Sequence, residues 1–177
     1  MIPSLPVRTW TPLVLSLLTI GVCLNRAEAG QISNEFIAFN GYTLTTPLSN
    51  YPSFKLIETW SGDFVQEVSL YENPGEVFTL NGVSFLKVHY RFADGRLEAI
   101  HLVYEGLDNR AKLIEWIEEH YGKLPSAERR TIPQVLWCGD QMTITLSFSK
   151  HTKRGTLWFT SPSLHDMVNK SLYMPSD

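Results

Sequence analysis

The chain has 177 residues, of which 44% are hydrophobic and 19% are charged, enough apolar material for one compact domain with its own core. This composition excludes long disordered tracts, coiled coils and collagen-like repeats. Fifteen basic residues stand against 18 acidic ones, and this mildly acidic balance argues against an extended nucleic-acid interface.

The N-terminal residues have the pattern of a cleavable secretory signal peptide. Arg8 supplies a positive charge, residues 13–24 form an apolar core, and residues 27–29 read Ala-Glu-Ala. The apolar core is shorter than the roughly 20 residues needed to span a bilayer. We therefore predict that residues 1–29 are removed and that the protein is periplasmic or secreted; an uncleaved N-terminal anchor is the alternative.

The predicted mature domain, residues 30–177, has no candidate transmembrane span and no internal boundary. It loses two basic residues and one acidic residue with the leader, which leaves 13 basic and 17 acidic residues. It also loses Cys23, whose lipidation is an alternative reading of the leader. Cys138 is then its single cysteine, so we expect no disulfide within the domain. We interpret Cys138 as a buried thiol, with a reactive thiol or a cross-link between chains as the alternatives.

The first half of the domain has the pattern of consecutive β-hairpins. Asn81-Gly82 and Asp94-Gly95 are strong signals for two-residue turns, because both central positions of a type I′ turn need a positive φ. A three-residue turn at 61–63 joins the first two strands. The predicted strands cover residues 54–60, 64–71, 77–80, 83–92 and 96–104.

The second half changes from a strand period to a helix period. Asp108 is placed to cap a helix over residues 108–121, and Gly122 followed by Pro125 ends it. A type II′ turn at Gly139-Asp140 then joins two strands. The remaining predicted elements are strands at 134–138, 141–148 and 156–160 and a short helix starting at residue 161.

This order of elements predicts an α+β fold. We expect an antiparallel, hairpin-rich, curved sheet of about six to eight strands, with the main amphipathic helix packed on one face and a short C-terminal helix. No repeated alternation of strand, helix and strand indicates a parallel sheet.

The turn at Asp94-Gly95 also predicts a register that separates two histidines. In that register Phe92 lies opposite Leu97, and the pairs that follow include Tyr90 with Ala99, Val88 with His101, Leu86 with Val103, Arg91 with Glu98 and His89 with Ile100. His89 and His101 then lie on opposite faces of the sheet and cannot share an ion. His120 follows Glu118 and Glu119 on the helix, where consecutive side chains diverge. We therefore predict no metal and no other cofactor.

The sequence also lacks the common catalytic motifs. Neither a G-x-S-x-G elbow nor a phosphate-binding glycine loop occurs. Glu115, Glu118 and Glu119 are typical of the solvated face of an amphipathic helix. Cys138, beside a turn, is the one candidate nucleophile, although no histidine that could act as its base is near in sequence.

Two groups of residues are candidates for binding. Tyr42 and Tyr51 lie in a stretch without clear periodicity, residues 40–53, and Trp60 lies next to a turn; we expect these aromatic side chains to be exposed, unless they belong to the core. The run at 150–154 contains Lys150, Lys153 and Arg154, and it suits an anionic headgroup, a polysaccharide or an acidic partner. A solvated hairpin loop is the alternative for this run.

Two motifs carry a resemblance. One is a hairpin with Tyr90, Phe92, Asp94, Gly95 and Leu97, and the other is a helix end with Tyr121, Gly122 and Pro125. In these motifs the chain resembles a group of uncharacterised exported bacterial proteins of similar length. The resemblance implies a setting in the cell envelope and no catalytic residue, because every matched position is a turn, a helix end or a core aromatic.

These observations favour an exported, non-enzymatic binding module of the cell envelope. Such a module acts as an adaptor, an inhibitor or an immunity-type protein on a protein partner. A small hydrolase or thiol enzyme that uses Cys138 is one alternative. A carrier that holds a small apolar or lipid ligand between helix and sheet is the other.

Overall fold

The computed structural model describes residues 30–32, 38–61, 67–126 and 131–173, with side chains described as far as Val168. The predicted leader at 1–29 and most of the predicted turn at 61–63 lie outside these ranges. Among the described residues, no helix is long and apolar enough to cross a membrane.

The described residues form two helices, one main sheet and two small strand pairs. The main sheet has eight strands in the order β1-β10-β11-β12-β9-β8-β5-β4, and β2-β3 and β6-β7 pair separately. All neighbours in the main sheet are antiparallel except β1, which runs parallel to β10. The strands are β1 Gly30–Gln31, β2 Ala38–Phe39, β3 Tyr42–Thr43, β4 Lys55–Trp60, β5 Val68–Glu72, β6 Thr79–Leu80, β7 Val83–Ser84, β8 Lys87–Ala93, β9 Arg96–Glu105, β10 Gln134–Cys138, β11 Thr143–Ser149 and β12 Arg154–Thr160; the helices are α1 Leu107–Tyr121 and α2 Pro162–Tyr173.

The α+β fold with an antiparallel sheet, one main helix and a short C-terminal helix is therefore confirmed. Helix α1 packs on one face of the sheet because its apolar residues recur at helical spacing and are buried. Its N-cap is Gly106 with φ 90°, and Asp108 lies in the first turn, so the prediction that Asp108 caps the helix is wrong. Gly122 ends the helix as predicted, but its φ of 123° and ψ of 155° lie outside the left-handed helical region that a glycine at this position usually adopts.

The core fills the space between α1 and the sheet. Its largest fully buried side chains are aromatic and come from β8 to β12. The chain before β4 packs beside α1 against the same face, where Tyr42, Tyr51 and Phe54 contact Tyr90 and Phe92. Trp137, Tyr90, Tyr104, Phe92 and Phe159 are all at most 1% exposed.

The two predicted type I′ turns are present. Asn81 and Gly82 have φ of 48° and 71°, and Asp94 and Gly95 have φ of 45° and 72°. The predicted strand at 83–92 is divided into β7 and β8, because β7 pairs with β6 outside the main sheet.

The predicted two-residue turn at Gly139-Asp140 is wrong. Cys138 pairs with Thr143, and the Gly139 N–H donates to the Met142 carbonyl over 2.9 Å, so the loop has four residues. Met142 is only 1% exposed, and its burial accounts for the longer loop.

The register between β8 and β9 also differs from the prediction. Phe92 lies opposite Leu97 as expected, but Arg91 lies opposite Ala99, so Glu98 is an extra residue in a β-bulge. Every later pair moves by one residue, and His89 lies directly opposite His101. The prediction that these histidines occupy opposite faces is therefore wrong. Each of the other predicted pairs, Tyr90 with Ala99, Val88 with His101, Leu86 with Val103, Arg91 with Glu98 and His89 with Ile100, is replaced.

Candidate functional site: the open face of the sheet

The sheet face opposite α1 is the candidate functional surface, and we call it the open face. Side chains from paired positions on adjacent strands form rows across this face. Most of them are half-buried, whereas residues of the same strands that point to the α1 side, such as Ile144 and Phe159, are fully buried. Helix α2 lies at one end of this face, where Val168 packs against Val68 and Ala93. The two central rows are Leu136, Thr145, Trp158, His101 and His89, and Gln134, Ser147, Thr156, Val103 and Lys87.

The His89–His101 pair is the most unusual feature of the open face. The two ring centroids are 5.9 Å apart. The His101 ring also stacks on Trp158, with centroids 4.0 Å apart and an interplanar angle of 15°. His101 Nε2 is buried and has no hydrogen-bond partner in the described part of the chain.

Both histidines are held neutral by their surroundings. Burial lowers the pKa of His101 to about 3, and the nearby charges of Arg91 and Lys87 and the His89 ring contribute. Burial and Lys87 also lower the pKa of His89, although the Glu72 carboxylate opposes them. Near pH 7 the open face therefore presents two adjacent neutral imidazoles.

A buried ion network lies beside the histidine pair, at the end of the open face that α2 covers. Arg91 binds Glu98 through two hydrogen bonds, one of which is 2.8 Å from Nη2 to Oε1. His165 of α2 places Nδ1 2.5 Å from Glu98 Oε1 and 2.9 Å from Arg91 Nη2. The Arg91 guanidinium also lies over the Trp158 ring, 5.2 Å from its centroid.

This network holds Glu98 ionised. Burial raises the pKa of Glu98, but the charge of Arg91 and the hydrogen bonds from His165 and Arg91 outweigh burial and lower the pKa to about 2. Glu98 is fully buried, and Arg91 and His165 are 7% and 4% exposed. Because all three side chains are shielded from solvent, the network fixes α2 on the sheet and offers no group to a substrate.

The opposite end of the open face carries an open depression of about 330 Å³. Its lining combines apolar surface from Val103 and Phe148 with the polar side chains of Gln134, Ser147 and Thr156. The hydroxyls of Ser147 and Thr156 share a hydrogen bond of 2.6 Å. Such a surface suits hydrogen-bonding groups of a partner.

The predicted basic run borders this depression. Lys150, Lys153 and Arg154 are exposed, as the solvated-loop interpretation and the binding interpretation both require. Lys153 has φ 54°, and its carbonyl accepts a hydrogen bond of 2.9 Å from the N–H of Gly106, the N-cap of α1. The loop at 150–153 is thus attached to the start of α1 and presents its cations at a defined place.

Two predicted binding residues lie in an aromatic cluster on the α1 side of the sheet. The Tyr42 and Tyr51 rings pack at 5.5 Å from each other, and Tyr42 lies 4.6 Å from Tyr90. Tyr42 donates a hydrogen bond of 3.0 Å to Glu76 Oε1, and Tyr90 donates one of 2.5 Å to Glu76 Oε2. Burial raises the pKa of both hydroxyls. Tyr42 and Tyr51 are therefore half-buried packing residues, and the prediction that they are exposed is wrong.

Trp60, the third predicted aromatic, is also half-buried. It packs against the small cluster of Val68, Ala93 and Val168 beneath α2. It lies far from the basic run in the order of strands, since β4 is at one edge of the sheet and β12 is in its middle. The structure therefore does not bring the predicted aromatic and basic residues together.

Cys138 does not match its predicted state. It lies on β10 beside Thr143 and is disulfide-bonded. The one other cysteine of the sequence is Cys23, which lies outside the described residues. The expectation of an unpaired thiol is therefore wrong for this chain, and the thiol-enzyme alternative applies only to a reduced form.

Sequence reasoning missed the open face as a unit. The sequence-based register separates His89 from His101, and it pairs Arg91 with Glu98 but connects neither residue with His165. One signal was present, because Glu98 interrupts the apolar residues of β9 and Arg91 those of β8. Among the described residues, no group of three or more His, Cys, Asp and Glu side chains is arranged to hold a metal ion.

Comparisons with known proteins identify no relative of this chain. No protein-family model, no curated protein and no solved structure matches it.

Proposed function

We propose that the protein is an exported, non-enzymatic binding module of the cell envelope that engages a protein partner through its open face. The observation that carries this proposal is the asymmetry of the sheet, since one face is sealed by α1 and the other stays half-buried across five strands. A half-open sheet face with Trp158, threonines and serines has the mixed apolar and polar character of transient protein interfaces. The signal-like pattern at residues 1–29 supports export.

The partner that fits this surface is acidic where it meets the basic loop. Lys150, Lys153 and Arg154 are exposed at one end of the open face, although the whole chain has a net charge of −3. Local positive charge on an acidic protein favours a partner with a complementary acidic surface. The depression next to the loop adds hydrogen-bonding groups that set the register of that contact.

The alternatives find less support. The layer between α1 and the sheet is filled by side chains such as Leu102, Leu113 and Ile117, all 0% exposed, so a lipid ligand there would have to displace the core. The charged groups buried on the open-face side are paired with one another and are not exposed to a substrate. The hydrolase and carrier interpretations stay as predictions without a supporting observation.

A photo-cross-linking amino acid placed on the open face tests the proposal. Carried at Thr145 in cells that export the protein, it should capture one dominant protein partner, and the same group at Glu115 on the exposed side of α1 should not. Equal capture at both positions, or turnover of a cell-wall or peptide substrate by the purified protein, contradicts the proposal.

Charge reversal supplies the matched control. Lys150→Glu with Lys153→Glu should reduce the Thr145 cross-link several-fold, and added salt should reduce it for the unreversed chain. Lys112→Glu with Lys123→Glu, which reverses two exposed charges on and beside α1, should leave the cross-link unchanged. A cross-link that is lost equally in both pairs of variants contradicts a role for the basic loop.

A further inference from the structure

The His89–His101 pair on the open face carries an inference that is independent of the protein partner. The bulge at Glu98 places these two side chains directly opposite each other on adjacent antiparallel strands. Directly opposite side chains on one face are the closest neighbours that a sheet provides. Two imidazoles at neighbouring positions are ligands that divalent transition metals accept.

His101 also has a buried ring nitrogen, Nε2, that lacks a hydrogen-bond partner within the described part of the chain. Buried polar atoms nearly always have a partner, and an exception calls for a ligand, a water or an ion. A metal ion bound to the ring nitrogens would satisfy this atom.

The spacing of the two rings is compatible with a shared ion. Their centroids are 5.9 Å apart, which leaves room between the rings for one ion with metal–nitrogen bonds of about 2.0–2.1 Å. His89 is half-buried and provides access from solvent. Water would complete the coordination, because no third side chain of the described residues is arranged to do so.

The surrounding charges do not exclude a cation. The positive charge of Arg91 is held against Glu98 through two hydrogen bonds. Lys87 and Glu72 are both exposed and carry opposite charges near His89.

We propose that His89 and His101 form a two-imidazole site for a divalent transition-metal ion, with Cu²⁺ bound most tightly. Nitrogen sites bind Cu²⁺ more tightly than the other first-row divalent metals, and neutral imidazoles bind Mg²⁺ and Ca²⁺ poorly. The stack of His101 on Trp158 at 4.0 Å gives the site its own optical reporter, since a paramagnetic ion on His101 quenches the adjacent indole.

The test is a titration of the purified, untagged full chain with Cu²⁺ in a non-coordinating buffer. We expect saturable quenching of tryptophan fluorescence with one ion per chain, and an electron paramagnetic resonance spectrum with two equatorial imidazole nitrogens. His89→Asn should weaken binding at least about tenfold, in line with the loss of one ligand. His151→Asn and His120→Asn, which alter histidines outside the open face, should leave the affinity unchanged.

Two further measurements separate the site from non-specific binding and from misfolding. Trp158→Phe should retain the spectrum with two nitrogens while losing most of the saturable quenching. His89→Asn keeps the buried His101, and its circular dichroism and thermal midpoint should match those of the unaltered chain. Quenching that does not saturate, a spectrum without two nitrogens, or equal affinity of a folded His89→Asn chain overturns the proposal.

Discussion

Arg91 lies opposite Ala99 in the sheet, yet its guanidinium binds the carboxylate of Glu98. This contact is possible because Glu98 of β9 occupies a β-bulge. The bulge leaves Glu98 without a pairing residue on β8 and changes the direction of its side chain. His165 reaches the same carboxylate from α2. One buried ion network therefore joins the bulge to α2, next to the strand pairs in which His89 and His101 face each other.

Removing Glu98 should destabilise the fold strongly. Glu98→Gln leaves the buried Arg91 cation without its counter-charge, and breaking a buried pair in this way costs about 3–5 kcal/mol. Urea unfolding followed by tryptophan fluorescence measures the change. Glu119→Gln, which alters an exposed carboxylate on α1, should change the free energy of unfolding by less than about 0.5 kcal/mol. A Glu98→Gln chain as stable as the Glu119→Gln chain contradicts the role assigned to the network.

His101 should make stability depend on pH in the mildly acidic range. Its pKa is about 3 in the folded chain and 6.5 as the ordinary value, so the unfolded state takes up a proton first as pH falls. The contribution of neutral His101 to the free energy of unfolding is therefore present above pH 6.5 and is lost as pH falls from 6.5 towards 3. The loss reaches about 2 kcal/mol at pH 5. His89 shifts in the same direction, while Lys87, Arg91 and Glu72 are the charges that face the pair.

Unfolding free energies at pH 7.5 and pH 5 test this expectation. His101→Gln should reduce the loss between the two pH values, whereas His151→Gln on the exposed loop should reproduce the loss of the unaltered chain. Glu98 does not contribute in this window, because its folded pKa of about 2 places its stability loss between pH 4.5 and pH 2. An equal loss in the His101→Gln chain would show that other groups cause the decline.

Much of the fold follows from local patterns in the sequence. The turns Asn81-Gly82 and Asp94-Gly95 need positive φ, and the helix α1 has a clear apolar period and a glycine stop, so each is decided by neighbouring residues. The bounds of β10, Gln134–Cys138, are those the alternation of side chains predicts. These features do not depend on contacts between distant residues.

The open face depends on distant contacts, which local patterns do not reveal. The bulge forms where Glu98 meets His165, 67 positions later in the chain, and a shift of one residue moves His89 from one partner to another. The disulfide at Cys138 is not predicted for another reason, because residues 30–177 contain a single cysteine. The aromatic residues were misplaced because Tyr42 has its partner, Glu76, 34 positions away.

Tyr42→Phe should affect stability and leave partner capture unchanged. The substitution removes the hydroxyl that donates to Glu76 and accepts from Asn73, while keeping the ring in the aromatic cluster. A net loss of about 1 kcal/mol in the free energy of unfolding is expected. The cross-link from Thr145 should retain its yield, because Tyr42 lies on the α1 side of the sheet. If the Tyr42→Phe chain kept its stability but gave a lower yield of the Thr145 cross-link, Tyr42 would belong to the binding surface.

Gly155 should tolerate no side chain, because the ring of Tyr104, its partner on β9, packs closely against the backbone at that position. A Cβ there would overlap the Tyr104 ring and the Ser147 carbonyl oxygen, and Tyr104 is held in place by donating a hydrogen bond of 2.7 Å to that same oxygen. Gly155→Ala should therefore lower the free energy of unfolding by about 1–3 kcal/mol or more, the range for overpacked cores. Thr156→Ala, at the half-buried neighbouring position, should cost less. The thermal unfolding midpoints of the two variants test this expectation. A Gly155→Ala midpoint equal to or higher than that of Thr156→Ala would show that β12 can move away from Tyr104.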